Sequence, residues 1–166
     1  RKPRSKAGIQ IEADAVFDRH DDAEKRVRGI QRLRRKESLR VAMASIFGDA
    51  ELTEQQNGLS DIYEIYLENI AREVMAEIDV DLGIIAMGRF GGRELGFGSD
   101  ADVVFVYSGD SSSQDAEKAV NAIRDATKDS VLEFELDMDL RPEGKKGAIV
   151  RSLDSYRSYY EKWGEI

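Results

Sequence analysis

The stretch GRFGGRELGFGSDADVVFVY, residues 88–107, constrains the fold more than any other. Its second half, from Asp100 to Tyr107, is a β-branched and aromatic run that a sheet accepts readily. Its first half is rich in glycine, so the chain entering the strand can turn tightly and bring its backbone close to a partner. On a strand, residues i and i+2 share a face at roughly 6.5–7 Å. Asp100 and Asp102 are therefore expected to point the same way, with Val104 and Val106 continuing that face inward. Ala101, Val103, Phe105 and Tyr107 then line the other face. Two carboxylates so placed repel, and one pKa tends to rise. A bound Mg²⁺ reverses the sign, because a hard cation takes both as oxygen ligands.

A third acid comes from VLEFELDMDL, residues 131–140, whose alternation predicts a half-buried strand. Leu132, Phe134, Leu136, Met138 and Leu140 fall on one face, and Glu133, Glu135, Asp137 and Asp139 on the other. If this strand pairs near the first, Asp137 or Asp139 approaches the Asp100/Asp102 pair. Three acids around two cations suit phosphoryl or nucleotidyl transfer. A turn at Gly91 and Gly92 would admit phosphates to backbone N–H groups, with Arg89 and Arg93 as nearby cations. The pattern is neither a Walker A loop nor a dinucleotide-binding fingerprint. From spacing alone, a metal-dependent transferase stands beside a structural or calcium-binding acidic patch and ordinary surface acids.

Upstream of Val80 the period is helical. Helices are expected over residues 9–17, 23–47 and 59–78, with 48–58 a loop that holds a helical turn and Ser60 or Asn57 capping the third helix. Arg34, Arg35, Lys36 and Arg40 are expected on the wet side of the second, and the first six residues as a frayed end. After Val80, strands are expected at 82–87, 100–107, 131–140 and near 148–150. Helices follow at 115–129 and 153–163. The fold class is thus α+β, a helical region over 1–79 followed by a small α/β core over 80–166.

Composition narrows the chemistry. There is no cysteine and one histidine, His20, which excludes thiol catalysis, disulfides, cysteine-ligated zinc and most histidine-based triads. No apolar run reaches membrane-spanning length and no leader is visible, so a cytoplasmic protein without a membrane partner is expected. Residues 1–41 carry 13 Lys/Arg against 7 Asp/Glu, while residues 42–166 carry 12 against 26. Such an acidic majority argues against binding to a nucleic acid backbone. Tyr156, Tyr159 and Tyr160 can stack a base or pack against the sheet. Lys145 and Lys146 can flank a phosphate or form a charged turn.

These motifs resemble those of the bacterial glutamine synthetase adenylyltransferases, which read roughly hGxxGGxELGxGSDxDhhF, with h apolar. Met87, Gly88, Gly91, Gly92, Glu94, Leu95, Gly96, Gly98, Ser99, Asp100, Asp102 and Phe105 match. Downstream, LDMDLRPEGKKGAIV matches an acidic strand followed by LRPxGxxGxLV through Leu140, Arg141, Pro142, Gly144, Gly147 and Val150. The resemblance implies a nucleotidyltransferase (polymerase beta-like) fold with a small mixed sheet. It implies Asp100, Asp102 and Asp137 as catalytic and Mg²⁺-binding acids. Gly91, Gly92, Arg93, Ser99 and Arg141 would attend the phosphates of ATP, and Asp139 stands where many members carry Arg. The implied reaction moves AMP from ATP to a tyrosine of glutamine synthetase in the control of nitrogen assimilation, with a PII-type nitrogen regulatory protein as a further partner. Family members carry two such domains, one adding AMP and one removing it by phosphorolysis. ELGFGSD is most similar to the adding, C-terminal copy of actinobacterial members. The removing domain and a catalytically silent scaffold are the alternatives, and a piece of a longer protein is expected.

Overall fold

The computed structural model describes residues 2–164. Three helices come first: α1 (Lys6–Arg19), α2 (Ala23–Ile46) and α3 (Leu52–Met75). Each starts on an oxygen that satisfies a free amide of the first turn. Ser5 accepts from Gly8 N at 3.2 Å and Asp22 from Lys25 N at 2.9 Å. Glu51 and Glu54 form a reciprocal capping box at the start of α3. That box corrects the expected loop over 48–58, since Asn57 and Gly58, turn residues in sequence, lie inside the helix. Gly58 is accommodated there because a side chain would meet Pro3 and Val41, at 3.2 and 3.3 Å from its Cβ. Of the six residues expected to fray, Arg1 lies outside the described residues and the others are docked: Pro3 lies against Gly58, and Arg4 pairs with Glu12 and Glu37.

The second half holds a four-stranded mixed sheet of β1 (Asp81–Ala86), β2 (Ala101–Ser108), β3 (Leu136–Asp137) and β4 (Val150–Ser152). Strand β2 is central. It runs antiparallel to β1, with Ile84 opposite Phe105, and parallel to both β3 and β4, with Asp102 opposite Asp137 and Phe105 opposite Val150. A single turn of helix, α4 (Gly88–Gly91), interrupts the path from β1 to β2. Helices α5 (Ser113–Ala126) and α6 (Leu153–Trp163) complete the α+β arrangement. No helix among the described residues is long and apolar enough to cross a membrane.

Strand β2 presents Ala101, Val103 and Phe105 to the core, while Asp102 and Val106 on the opposite face are half-buried. The inward face is thus the one without acids, although Val104 is also buried. The long strand expected over 131–140 shrinks to two residues for a local reason. Asp129 accepts hydrogen bonds from the amides of Val131 and Leu132, and Arg34 donates to the carbonyls of Leu132 and Glu133. Backbone groups engaged by side chains cannot also form a strand ladder. At the other end, Asp139 N donates to the Asp137 carboxylate at 2.7 Å and closes the strand. Phe134 and Met138 are buried, but Leu132 and Leu140 at the ends of the alternation are exposed.

Arg34 is likewise a correction. Expected on the wet side, it is 2% exposed, ion-paired to Asp129 at 3.0 Å, and stacked within about 5 Å of the Tyr66 and Phe134 rings. The buried core runs continuously from Ile9 and Ala13 of α1 through α2 and α3 to β2, α5 and Val150.

Candidate active site

The register of β2 against β3 decides the geometry. Because Asp102 lies directly opposite Asp137, and Asp100 precedes Ala101 at the mouth of β2, three carboxylates converge. One oxygen from each of Asp100, Asp102 and Asp137 lies within 4.8 Å of the other two, and all three residues are half-buried. Among the described residues this is the one acidic group with metal-holding spacing. Burial first, and then the charges of Asp100 and Asp137, push the Asp102 carboxyl up, while Arg89 pulls the other way. Oxygen-only donors at this separation fit a hard divalent cation such as Mg²⁺, and a cation among them would remove the repulsion.

The glycine segment sets the cluster from the side. Gly88 has φ +50°, and a Cβ there would stand 2.3 Å from the Asp102 carboxylate. Glycine is the one residue that lets the chain pass so close to that acid. Gly91 is close-packed differently: a Cβ would meet the Ala86 carbonyl oxygen at 2.6 Å. Gly92 is less confined, with Gly88 O at 3.4 Å as the nearest atom. The turn then closes through Arg93 N to Phe90 O and Glu94 N to Arg89 O, the paired bonds that end helices on a left-handed residue. That residue is Arg93, at φ 59°.

The remaining expected residues divide. Ser99 is buried and shapes the turn before β2: its hydroxyl accepts from Gly96 N at 3.0 Å. Arg93 is committed to α3, pairing with Asp61 and Glu64 and donating to Asn57. Arg141 is buried and donates to the carbonyls of Gly147 and Met138, so it ties the loop after β3. Asp139 stands apart from the acid cluster, paired with Arg141 and Lys145 at 3.5 and 3.2 Å. Arg89 is the cation at the cluster, 3.3 Å from Asp100 and largely exposed. Of the three tyrosines of α6, Tyr156 is packed in the fold and Tyr160 is exposed.

Sequence reasoning missed the group that holds these parts in register. Tyr63 of α3 packs edge-on to Phe90 of α4 at 6.1 Å and against Phe134 at 4.9 Å, and donates to Ser99 O at 3.3 Å. One helical ring therefore touches the glycine turn, the entry to β2 and the entry to β3. Tyr66, a turn further on, packs against Phe134 and donates to Thr127 O at 3.0 Å, with burial pushing its hydroxyl up to about 12. The signal was present as two tyrosines on the apolar face of α3, but nothing in a helical stripe says which loops it will meet.

Residues 2–166 match the family model for GlnE, glutamate-ammonia ligase adenylyltransferase. A protein of Leifsonia xyli subsp. xyli, named bifunctional glutamine synthetase adenylyltransferase/adenylyl-removing enzyme, is 43% identical over 98% of this chain. Proteins of the same name from Cutibacterium acnes and Streptomyces coelicolor are 36% and 34% identical over 97% and 98% of it. The chain spans 17% of the Leifsonia and Cutibacterium relatives' length and 19% of the Streptomyces one. The match runs through both acid-bearing strands and the glycine turn between β1 and β2, and on that ground this chain belongs to the glutamate-ammonia ligase adenylyltransferase family.

Proposed function

We propose that this chain carries a nucleotidyltransferase site that moves AMP from ATP to a tyrosine hydroxyl of glutamine synthetase, releasing pyrophosphate. The observation that carries the reading is the convergence of Asp100, Asp102 and Asp137 at the joined ends of β2 and β3. Residues 80–166 would form the catalytic core, of polymerase beta-like type, and residues 1–79 its helical lead-in within a longer polypeptide. The three carboxylates would hold Mg²⁺, whose chemistry when bound is to neutralise phosphate charge and favour in-line displacement.

The chain's own residues have separable tasks. Asp100 and Asp102 orient the site from β2, with Gly88 leaving room for the Asp102 carboxylate. Arg89 is the cation toward which the leaving pyrophosphate would be drawn. Asp137, held by the Asp139 amide, is the carboxylate to accept the proton of the attacking hydroxyl. The hydroxyl oxygen bonds to the α-phosphorus, the bond from that phosphorus to the bridging oxygen breaks, and pyrophosphate leaves with the electron pair.

The relatives' names carry both AMP addition and AMP removal, so phosphorolytic removal, which forms ADP, is the second reading. Two reactions separate them: unmodified glutamine synthetase with Mg·ATP, and the AMP-modified enzyme with Mg²⁺ and phosphate, each followed by mass spectrometry of the target. Gain of one AMP in the first supports adenylyl transfer. Loss of AMP in the second, with no gain in the first, selects removal.

A further inference from the structure

A cavity of about 490 Å³ opens beside the acid cluster, walled by Leu39 and Ala42 of α2, Leu59 and Tyr63 of α3, Phe97, and Leu132. Asp100 lines it too, and is the one carboxylate shared by the cavity and the cluster. No residue of α4 belongs to its wall. Leu39 and Phe97 are 62% and 50% exposed, a large share for apolar side chains so near a polar centre. The charged groups in the lining are Asp100, Glu133 and Glu135 against one cation, Arg35, which is already paired with Asp129 at 2.8 Å, so the space favours a neutral ring over an anion.

Its position fixes which reactant it suits. The exposed cation Arg89 lies on α4, 3.3 Å from Asp100, and draws the leaving phosphates to that side. In-line displacement puts the attacking oxygen opposite the leaving one. The approach left to the acceptor is the flank without α4, where the cavity lies. We propose that this cavity seats the aromatic ring of the acceptor, a phenol whose hydroxyl reaches the carboxylates past Asp100. The assignment rests on the adenylyl-transfer reading and adds to it a recognition site formed by α2, α3 and the segment before β3. Selectivity for an aromatic hydroxyl over serine or threonine follows, because those side chains bring no ring to the apolar walls.

Amide NMR of the ¹⁵N-labelled protein, titrated with p-cresol and separately with adenosine, tests the site without requiring turnover. The expected result is p-cresol-dependent shifts at Leu39, Ala42, Gly98 and Leu132, with those of Gly88–Gly91 unmoved, and loss of the shifts in Ala42→Trp, which fills the cavity. Leu39→Asp, on an exposed rim, is the second variant if the tryptophan disturbs folding, and it too should abolish the shifts. In the transfer assay either variant should raise KM for the acceptor by about tenfold or more, with KM for Mg·ATP changed by less than about twofold. Shifts at these amides with adenosine and none with p-cresol would reassign the cavity to the nucleotide base. Silence to both would overturn it altogether. If the p-cresol shifts appear and no AMP moves in either direction, the ring site stands and the adenylyl-transfer reading falls.

Discussion

Asp102 carries a carboxyl pushed up by burial and by two neighbouring acids, so its ionised form works against the fold that holds it. A raised carboxyl binds its proton more tightly when folded. The stability it contributes is present at low pH and is lost as pH rises through the raised value, leaving a cost at neutrality. Asp102→Asn removes that cost, and the metal-free chain should melt at an unchanged temperature or a few degrees higher. The parent chain should gain further melting temperature on addition of Mg²⁺, by the ordinary linkage of a ligand to the folded state, and the variant should not. Calorimetry with and without Mg²⁺ reads both; an equal Mg²⁺ response in the two would remove Asp102 from the metal site. The glycines separate in the same experiment. Gly88→Ala places a methyl against the Asp102 carboxylate at a left-handed φ, costing roughly 1–2 kcal/mol of backbone strain and the Mg²⁺ response together. Gly91→Ala drives a methyl into the Ala86 carbonyl and should cost about 1–3 kcal/mol. Gly92→Ala, with its nearest neighbour at 3.4 Å, should stay within about 0.5 kcal/mol of the parent.

Among the elements, the segment between α5 and β3 depends on α2. Arg34 and Asp129 both have side chains 1% exposed, and around them gather Arg35, the Leu132 and Glu133 carbonyls and two aromatic rings. Burial alone would push the Asp129 carboxyl up, but hydrogen bonds from the Val131 amide, Arg35 and Arg34 outweigh it and hold it below the usual range. A depressed carboxyl stabilises the fold above its unfolded value, about pH 4, and that contribution is lost as pH falls through the lowered one. Arg34→Met should cost about 3–5 kcal/mol near neutral pH, because it leaves a buried carboxylate short of its partner. Urea midpoints at pH 7 and pH 3 check this, and the gap between parent and variant should narrow at the lower pH. Sequence pattern anticipated the two acid-bearing strands and the residues that meet at their ends, because alternation and a β-branched run are local properties. It did not anticipate Arg34, since a charged residue at a helical position reads as solvated unless its buried partner, 95 positions away, is known. The shortening of β3 followed from the same hidden contact. The intramolecular bonds of Arg93 to α3 and of Arg141 to the Met138 and Gly147 carbonyls were hidden for a related reason: their partners are not visible in the glycine-turn motifs beside them.

For the molecule as a whole, the change of period at Val80 suggests two parts, yet the packing does not stop there. Ile62, Tyr63, Tyr66 and Ile70 of α3 share one buried cluster with Val103 and Phe105 of β2 and with Val120 and Ile123 of α5. Tyr66 reaches the Thr127 carbonyl, and Gln31 of α2 donates to the Ala126 and Lys128 carbonyls at the end of α5. Residues 80–166 alone would leave the core-facing side of β2 and the inner stripe of α5 without α3. They would also lose Tyr63, which braces both the glycine turn and the approach to β3. A stretch of that size buries a smaller fraction of its surface even when complete, and this one would lose a wall of its core. The whole chain is therefore expected to unfold in a single cooperative transition, with far-UV and near-UV circular dichroism coincident in urea. The isolated 80–166 stretch should show no cooperative transition and no Mg²⁺-dependent stabilisation. A folded, Mg²⁺-responsive 80–166 fragment would mean that the acids keep their geometry without α3, and the helical lead-in would then be a separate unit whose contribution to the site is limited to the cavity beside Asp100.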